Sequence, residues 1–185
     1  MSEAAGLMDA MYRHQRHIGC GTGRNLIAIA RTYPGRSCHG LDVSEEMLAT
    51  ARQSVERAGL SDVIALRQAD ATGFDPLILF GRSGFDRIVI SYALSMIPPW
   101  QAVIEEAARR LVPGGELHIV DFGDQTGLPA PFRAVLRRWL ALFQVTPRGE
   151  LGAVLGEAAR VLDATVQADA LYRGYATLAR LRRAA

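Results

Sequence analysis

The amino-acid sequence predicts a doubly wound α/β domain, in which a mostly parallel sheet carries helices on both faces. Strand-like apolar runs alternate with segments of helical periodicity, and glycine or proline separates most of them. The runs at 63–69 and 85–90 have the apolar density typical of strands buried on both faces. A length of 185 residues, with 49% hydrophobic residues, suffices for one core. We therefore predict a single domain over residues 1–185.

Helix and turn signals divide the first half of the chain. A glycine-rich segment at 19–23 precedes the first predicted helix, which stops at Pro34 and Gly35. Ser44 can cap the second helix, whose first turn carries Glu45 and Glu46. The predicted elements are a helix at 24–32, a strand at 37–41, a helix at 45–58, and strands at 63–69 and 85–90.

Proline and glycine also divide the second half. Pro98 and Pro99 open a helix that runs to about Leu111, and a turn at 113–115 leads into another strand. The two last strand-like segments would close the sheet as an antiparallel pair. The predicted elements are a helix at 98–111, a strand at 116–120, helices at 131–143 and 148–162, and strands at 164–168 and 174–178.

Composition excludes several classes of protein. The formal charge of +2 gives no basic excess of the kind that nucleic-acid-binding faces show. The two cysteines, Cys20 and Cys38, make no disulfide framework, which favours a reducing cytoplasm. No run reaches about 18 uncharged apolar residues, and the start has no apolar signal core. Four scattered histidines show no metal-ligand spacing. We expect a cytoplasmic protein with no metal and no nucleic-acid partner, and its oligomeric state stays open.

The spacing Gly19-x-Gly21-x-Gly23 predicts a loop that can turn tightly and approach a ligand, because glycine has no Cβ atom. An ordinary strand-to-helix turn is the alternative. Asp42 lies 19 residues beyond Gly23 at the end of a predicted strand. A carboxylate in this place can accept hydrogen bonds from two ribose hydroxyls, although it can also serve only as a turn residue.

Polar residues end the next two strands at the same edge of the sheet. Asp70 can accept a hydrogen bond from an adenine amine beside the Ala71 N–H, and a surface turn is its alternative role. Ser91 and Tyr92 end the strand after it. Ligands of open α/β sheets bind outside the carboxyl ends of the strands. The residues therefore predict one crevice for a nucleoside-containing cofactor.

Four runs stand in order between residues 18 and 115, namely Ile18-Gly-Cys-Gly-Thr-Gly23, Gly40-Leu-Asp-Val-Ser-Glu-Glu-Met47, Gln68-Ala-Asp-Ala71 and Leu111-Val-Pro-Gly-Gly115. As a set they resemble the motifs of class I S-adenosylmethionine (SAM) dependent methyltransferases. The resemblance implies a Rossmann-like fold, with SAM as cofactor and S-adenosylhomocysteine as its product. It implies a cofactor site at Gly19, Cys20, Gly21, Thr22, Gly23, Asn25, Asp42, Val43, Met47, Asp70, Ala71, Ser91 and Tyr92.

An NAD-linked dehydrogenase is the rival interpretation of such a loop. Its phosphate loop is G-x-G-x-x-G, which seats a pyrophosphate on a helix N-terminus. Here Gly23 comes one residue earlier, and SAM has no phosphate to bind. The spacing therefore favours SAM.

Further runs extend the resemblance over most of the chain, namely Leu7-Met-Asp-Ala-Met-Tyr-Arg-His-Gln-Arg16, Leu94-Ser-Met-Ile-Pro98, Asp121-Phe-Gly-Asp-Gln125 and Val145-Thr-Pro-Arg148. They are similar to bacterial methyltransferases that complete betaine lipids. This resemblance implies that diacylglyceryl-homoserine is methylated to diacylglyceryl-N,N,N-trimethylhomoserine.

The sequence departs from the pattern before the glycine-rich loop. The resemblance implies an acidic residue two positions before Gly19, where it meets the methionine amino group, but this chain has His17. The polar run at 12–17 also lacks the apolar residues that are typical of a buried central strand. We therefore expect the first strand to be missing, because about 25 to 35 residues are absent between Ile18 and Gly19. A vacant slot one strand wide should then separate the strands that end at Asp42 and at Tyr92. A naturally shortened, inactive relative is the alternative.

Methyl transfer requires a neutral amine to be aligned with the sulfonium methyl and water to be excluded. Candidate proton acceptors or positioning groups are Tyr92, Asp121, His14 and Tyr12. Tyr92 and Asp121 are favoured because they stand at strand ends. His14 can equally be a packing residue, and Tyr12 can simply close over the cofactor.

The segment 132–143 has the pattern of a basic amphipathic helix. Its apolar residues at helical spacing are Phe132, Val135, Leu136, Trp139, Leu140 and Phe143, and its basic residues, largely on other faces, are Arg133, Arg137 and Arg138. Such a helix can lie in the headgroup region at the inner surface of a membrane. The alternatives are that it packs on the sheet or forms a dimer contact. Three functions stay open: a lipid amine N-methyltransferase, a SAM methyltransferase acting on another small molecule, and a non-catalytic SAM-binding protein.

Overall fold

A computed structural model describes residues 14–185, with side chains from Gln15 onward. Seven strands form one sheet in the order β3-β2-β1-β4-β5-β7-β6. The elements are β1 His14–Ile18, α1 Arg24–Thr32, β2 Ser37–Asp42, α2 Glu45–Arg57, β3 Ile64–Gln68, α3 Pro76–Phe80, β4 Phe85–Ser91, a 3₁₀ turn Leu94–Met96, α4 Trp100–Arg109, β5 Leu111–Phe122, α5 Ala130–Leu142, α6 Leu151–Leu162, β6 Ala164–Leu171 and β7 Ala176–Arg183.

The predicted doubly wound sheet is confirmed. Strands β1 to β5 pair in parallel, and β7 pairs antiparallel with both β5 and β6. The antiparallel closing pair was therefore predicted correctly, although both strands are longer than expected. The short helix α3 was not predicted; Asp75 caps it by accepting a hydrogen bond from Leu77 N at 2.8 Å.

The expectation of a missing first strand and a vacant slot is wrong. Strand β1 lies between β2 and β4, where Arg16 is in register with His39 on one side and with Ile88 on the other. Pairing on both sides satisfies the backbone of β1, which is an obligatory condition for a central strand. The polar side chains are buried as a result, and Gln15, Arg16 and His17 are each at most 3% exposed.

Two apolar clusters fill the space between the sheet and its helices. On one face, α1 and α2 pack over β2 and β3, with Leu26, Leu48 and Leu66 among the buried residues. On the other face, α4 and α6 cover β1, β4, β5 and β7, and Ile104 and Leu155 are fully buried there. Because helices cover both faces of the sheet, the accessible crevice lies at the carboxyl edge of the parallel strands.

Candidate cofactor and acceptor site

A crevice of about 470 Å³ lies at the carboxyl ends of the parallel strands. A volume of this size is typical of small-molecule and cofactor sites. A cavity of about 500 Å³ lies at β2 and β3, but it contacts neither the glycine-rich loop nor the ends of β1 and β4. The crevice is lined by Gly19, Gly21, Leu41, Asp42, Val43, Met47, Ala69, Asp70, Ala71, Thr72, Tyr92, Ala93, Met96, Ile97, Pro98 and Pro99.

The glycine-rich loop is held close to the end of β4. Gly19 has φ +64°, and a Cβ atom on it would lie 2.6 Å from the Ala93 Cβ. Gly23 has φ +80° where α1 begins. Larger side chains at these two positions would be strained, because L-residues rarely adopt this region. The loop therefore presents bare backbone to the crevice.

Asp42 connects the loop to the end of β2. One carboxylate oxygen accepts a hydrogen bond from Gly21 N at 2.8 Å, and the other accepts from Ser44 N at 3.0 Å. These bonds fix the carboxylate at the crevice wall. Each oxygen has a further lone pair that can accept from a ribose hydroxyl.

Asp70 lines the crevice just beyond the end of β3. Its Oδ1 accepts hydrogen bonds from Thr72 N and from the Thr72 hydroxyl, both at 2.8 Å. These bonds, the backbone one first, lower the pKa of Asp70 below its ordinary value. The side chain is an acceptor at neutral pH, while Ala69, Ala71 and Ile97 supply apolar walls.

Some residues expected at the cofactor stand behind the crevice rather than on its wall. Cys20 is buried, and burial raises its pKa to about 12, so it is an inert thiol. The other residues expected there but outside the lining are Thr22, Gly23, Asn25 and Ser91. The sequence analysis missed a whole wall, formed by Ala93, Met96, Ile97, Pro98 and Pro99, although the Pro-Pro pair marked its position.

His17 takes no part in the crevice wall. Burial lowers its pKa to about 4, with Asp42 opposing the shift, so the imidazole is neutral at pH 7. Its Nε2 lies 3.5 Å from the amide nitrogen of Asn25, and its Nδ1 has no hydrogen-bond partner among the described residues. The described residues of the wall include two charged groups, Asp42 and Asp70. These two carboxylates stand where acceptors for a ribose and an adenine were predicted, and the described part of the wall has no third carboxylate for an ammonium group.

The catalytic candidates lie at different depths. Tyr92 lines the crevice, is 38% exposed and has φ +51°. Burial, followed by Tyr175 and Asp121, raises its pKa. Asp121 is fully buried and accepts hydrogen bonds from Ser95 N at 3.2 Å and from its own neighbour's N–H, Phe122 N, at 2.7 Å.

Two catalytic candidates receive no structural placement. Tyr12 lies outside the described residues, and so does the side chain of His14. The backbone of His14 begins β1, in register with Ser37.

Helix α5 exposes most of its apolar side chains. Phe132 is 57% exposed, Trp139 52% and Leu142 76%, whereas Leu140 is the buried residue of the helix. Most of the predicted stripe is therefore exposed rather than packed on the sheet, and Leu140 is its buried member. Arg148, which follows the helix, donates hydrogen bonds to three carbonyls of the turn beside the crevice.

Comparison with known proteins agrees with this geometry. A family model described as a methyltransferase domain matches residues 17–115, more than half of the chain. A phosphatidylethanolamine N-methyltransferase of Cereibacter sphaeroides is 37% identical over 123 residues, covering 66% of this chain and 57% of the relative. Methyltransferase GfsG of Streptomyces halstedii is 35% identical over 104 residues, covering 56% of this chain and 36% of the relative. The chain thus spans little more than half of one relative and about a third of the other.

Solved structures share the fold. An O-methyltransferase family protein from Burkholderia thailandensis superposes with a TM-score of 0.75 at 19% identity, over 96% of this chain and 52% of that one. The magnesium protoporphyrin IX methyltransferase of Synechocystis, solved with bound SAH, gives 0.69 at 18% identity, over 98% of this chain and 80% of that one. At such identities the likeness concerns the fold alone.

Proposed function

Because the chain belongs to the methyltransferase domain family, whose cofactor is SAM, we propose that it transfers methyl groups from SAM to a lipid amine. The proposed acceptor is diacylglyceryl-homoserine, and the product is the trimethylated betaine lipid. The observation that carries the proposal is the position of the exposed apolar face of α5. The segment after that helix is bonded to the turn that lines the crevice.

Different residues of the chain have different roles in the proposed reaction. Bound SAM supplies an electrophilic methyl group on a sulfonium. Asp42 and Asp70 hold the nucleoside, and the bare backbone of the loop allows close approach. Tyr92 keeps its proton at neutral pH because its pKa is raised, so it acts as a hydrogen-bond partner of the acceptor rather than as a phenolate base. Asp121 positions the turn through Ser95 N.

Two observations favour a lipid over a soluble acceptor. The Trp139 and Phe143 ring centroids lie 5.0 Å apart at the exposed end of α5, and Arg138 is exposed beside them. Aromatic and basic residues in this arrangement suit the headgroup region of a bilayer. The relative from Cereibacter sphaeroides is named for a lipid amine. No helix among residues 14–185 is long and apolar enough to cross a bilayer.

The direct test is to incubate the protein with SAM and diacylglyceryl-homoserine and to analyse the lipids by mass spectrometry. We expect gains of one, two and three methyl groups. Methylation of a soluble amine alone would favour the alternative of a small-molecule methyltransferase. SAM binding without any transfer would favour the non-catalytic alternative.

Replacing Asp42 by Ala should weaken binding of S-adenosylhomocysteine by about 1–3 kcal/mol, because the ribose hydroxyls lose a half-buried acceptor. Gly21 N loses its partner in the same variant. Asp42→Asn should fall between wild type and Asp42→Ala, since one acceptor oxygen remains. Isothermal titration calorimetry measures the affinities, with exposed Asp62→Ala as the control. Equal affinities for all four proteins would place the ribose elsewhere.

Vesicle binding should shift the fluorescence of Trp139. The chain has two tryptophans, and the other, Trp100, is buried in the core. Vesicles containing anionic lipid should therefore move the emission to shorter wavelength in wild type but not in Trp139→Phe. Arg138→Gln should weaken vesicle binding by about 1 kcal/mol. Val161→Ala, at an exposed site on α6, is the control and should bind normally. No spectral shift with any vesicle would contradict the surface contact.

A further inference from the structure

Three aromatic rings meet where β4, β5 and the turn between β6 and β7 come together. The Tyr92 and Phe122 ring centroids are 5.0 Å apart, and those of Phe122 and Tyr175 are 5.7 Å apart. The two pairs have interplanar angles of 62° and 78°. The rings are thus arranged as adjoining walls rather than as a stack. We call Tyr92, Phe122 and Tyr175 the aromatic corner.

Backbone hydrogen bonds fix the aromatic corner in place. Tyr92 N donates to Val120 O at 2.8 Å, which ties the end of β4 to β5. Gly123 N donates to Tyr175 O at 3.0 Å, which ties the end of β5 to the turn. Tyr92 itself has φ +51°, a region that is strained for a non-glycine residue. The surrounding structure holds this ring in a strained position at the crevice wall.

The aromatic corner is accessible and uncharged. Tyr92 lines the cofactor crevice, while Phe122 and Tyr175 are half-buried beyond it. The raised pKa of Tyr92 keeps its ring a neutral phenol. Asp121 lies beneath with a fully buried carboxylate. Ring faces carry negative electrostatic potential, so a corner of three rings near a buried carboxylate attracts a cation that is weakly hydrated.

We propose that Tyr92, Phe122 and Tyr175 form the subsite that binds the methylated ammonium group of the acceptor. The inference rests on the proposed function and deepens it by naming the residues that hold the ammonium group of the acceptor. A methylated ammonium is held more tightly than an uncharged group of the same shape, because the ring quadrupoles attract its charge. The corner therefore retains the partly methylated lipid between successive transfers.

The test uses choline and its uncharged isostere 3,3-dimethylbutan-1-ol as probes, each titrated by NMR into the protein saturated with S-adenosylhomocysteine. We expect choline to bind roughly 3- to 30-fold more tightly than the alcohol. Phe122→Leu and Tyr92→Leu should remove that preference, whereas Tyr92→Phe should keep it. Tyr33→Leu, an exposed tyrosine at the end of α1, is the control and should bind like wild type.

Calorimetry with S-adenosylhomocysteine distinguishes a failure of this inference from a failure of the proposed function. Equal affinity for the two probes in a protein that binds this nucleoside would overturn the aromatic corner and leave the proposed function standing. A wild-type protein that does not bind the nucleoside would count against the proposed function itself. If Phe122→Leu fails to fold, Tyr175→Leu on the neighbouring turn is the substitute. Retention of the choline preference in folded leucine variants at all three positions would overturn the inference.

Discussion

Replacement of Arg16 by Met should stabilise the protein by about 1–4 kcal/mol. The guanidinium is 1% exposed, and none of its three nitrogens has a hydrogen-bond partner among the described residues. Burial, assisted by Arg110, lowers its pKa to about 9. A buried ion without a paired charge costs several kcal/mol, and an apolar side chain of similar length removes that cost.

Three phenylalanine rings oppose this gain. The Arg16 Cζ lies 3.7 Å from the centroid of Phe74, 4.8 Å from Phe80 and 4.9 Å from Phe85. Such cation–π contacts stabilise the folded protein by about 2 kcal/mol when they are desolvated, and Met would retain the dispersion component of that energy. The desolvation cost is the larger quantity, so we expect a net gain. Urea unfolding measures it, with exposed Arg138→Met as a control that should stay within about 0.5 kcal/mol of wild type. A loss of stability in Arg16→Met would show that the aromatic contacts dominate.

Acidification should destabilise the protein through His17, by an amount on the order of 3 kcal/mol. Its pKa is about 4 in the folded chain, against 6.5 as the ordinary value. Between these values the unfolded chain binds a proton that the folded chain does not, so the free energy of unfolding falls with the pH. Above pH 6.5 the residue is neutral in both states and has no such effect.

The His17 contribution is measured as a difference. Unfolding free energies of wild type and His17→Leu, determined from pH 7 to pH 4, should diverge as the pH falls. His118, whose pKa is also lowered by burial, is half-buried beside Glu116, and His118→Gln should remove a smaller part of the pH dependence. Parallel pH profiles for wild type and His17→Leu would contradict the neutral, buried imidazole.

These two residues also bear on the cofactor loop. His17 and Ile18 lead directly into Gly19, and Cys20 N donates to Leu41 O at 3.0 Å. Strand β1 therefore carries the loop to the crevice.

Most of the elements, and the positions of Asp42 and Asp70 at the crevice, follow from the sequence by itself. Apolar runs between glycine and proline located β2, β3 and β4, and Asp42 and Asp70 were placed at strand ends by the same pattern. These predictions depend on local properties, namely periodicity, capping and turn residues, which the chain expresses without regard to its partners. The carboxyl ends of parallel strands then meet at one edge as a matter of topology.

Only the tertiary structure shows that residues 14–18 form a central strand of the sheet. No local pattern marks His-Gln-Arg-His as a buried strand. Without this segment, however, β2 and β4 would leave backbone N–H and C=O groups unpaired between them, and the segment pairs with both strands. The polar side chains of this segment disfavour burial, whereas backbone pairing with two neighbouring strands favours it, and the segment is buried. The wall at 93–99 and the aromatic corner belong to the same class. The wall takes its place because 93–99 follows the end of β4 at the crevice, and the aromatic corner joins Tyr92 and Tyr175, which are 83 positions apart and meet because of the strand order.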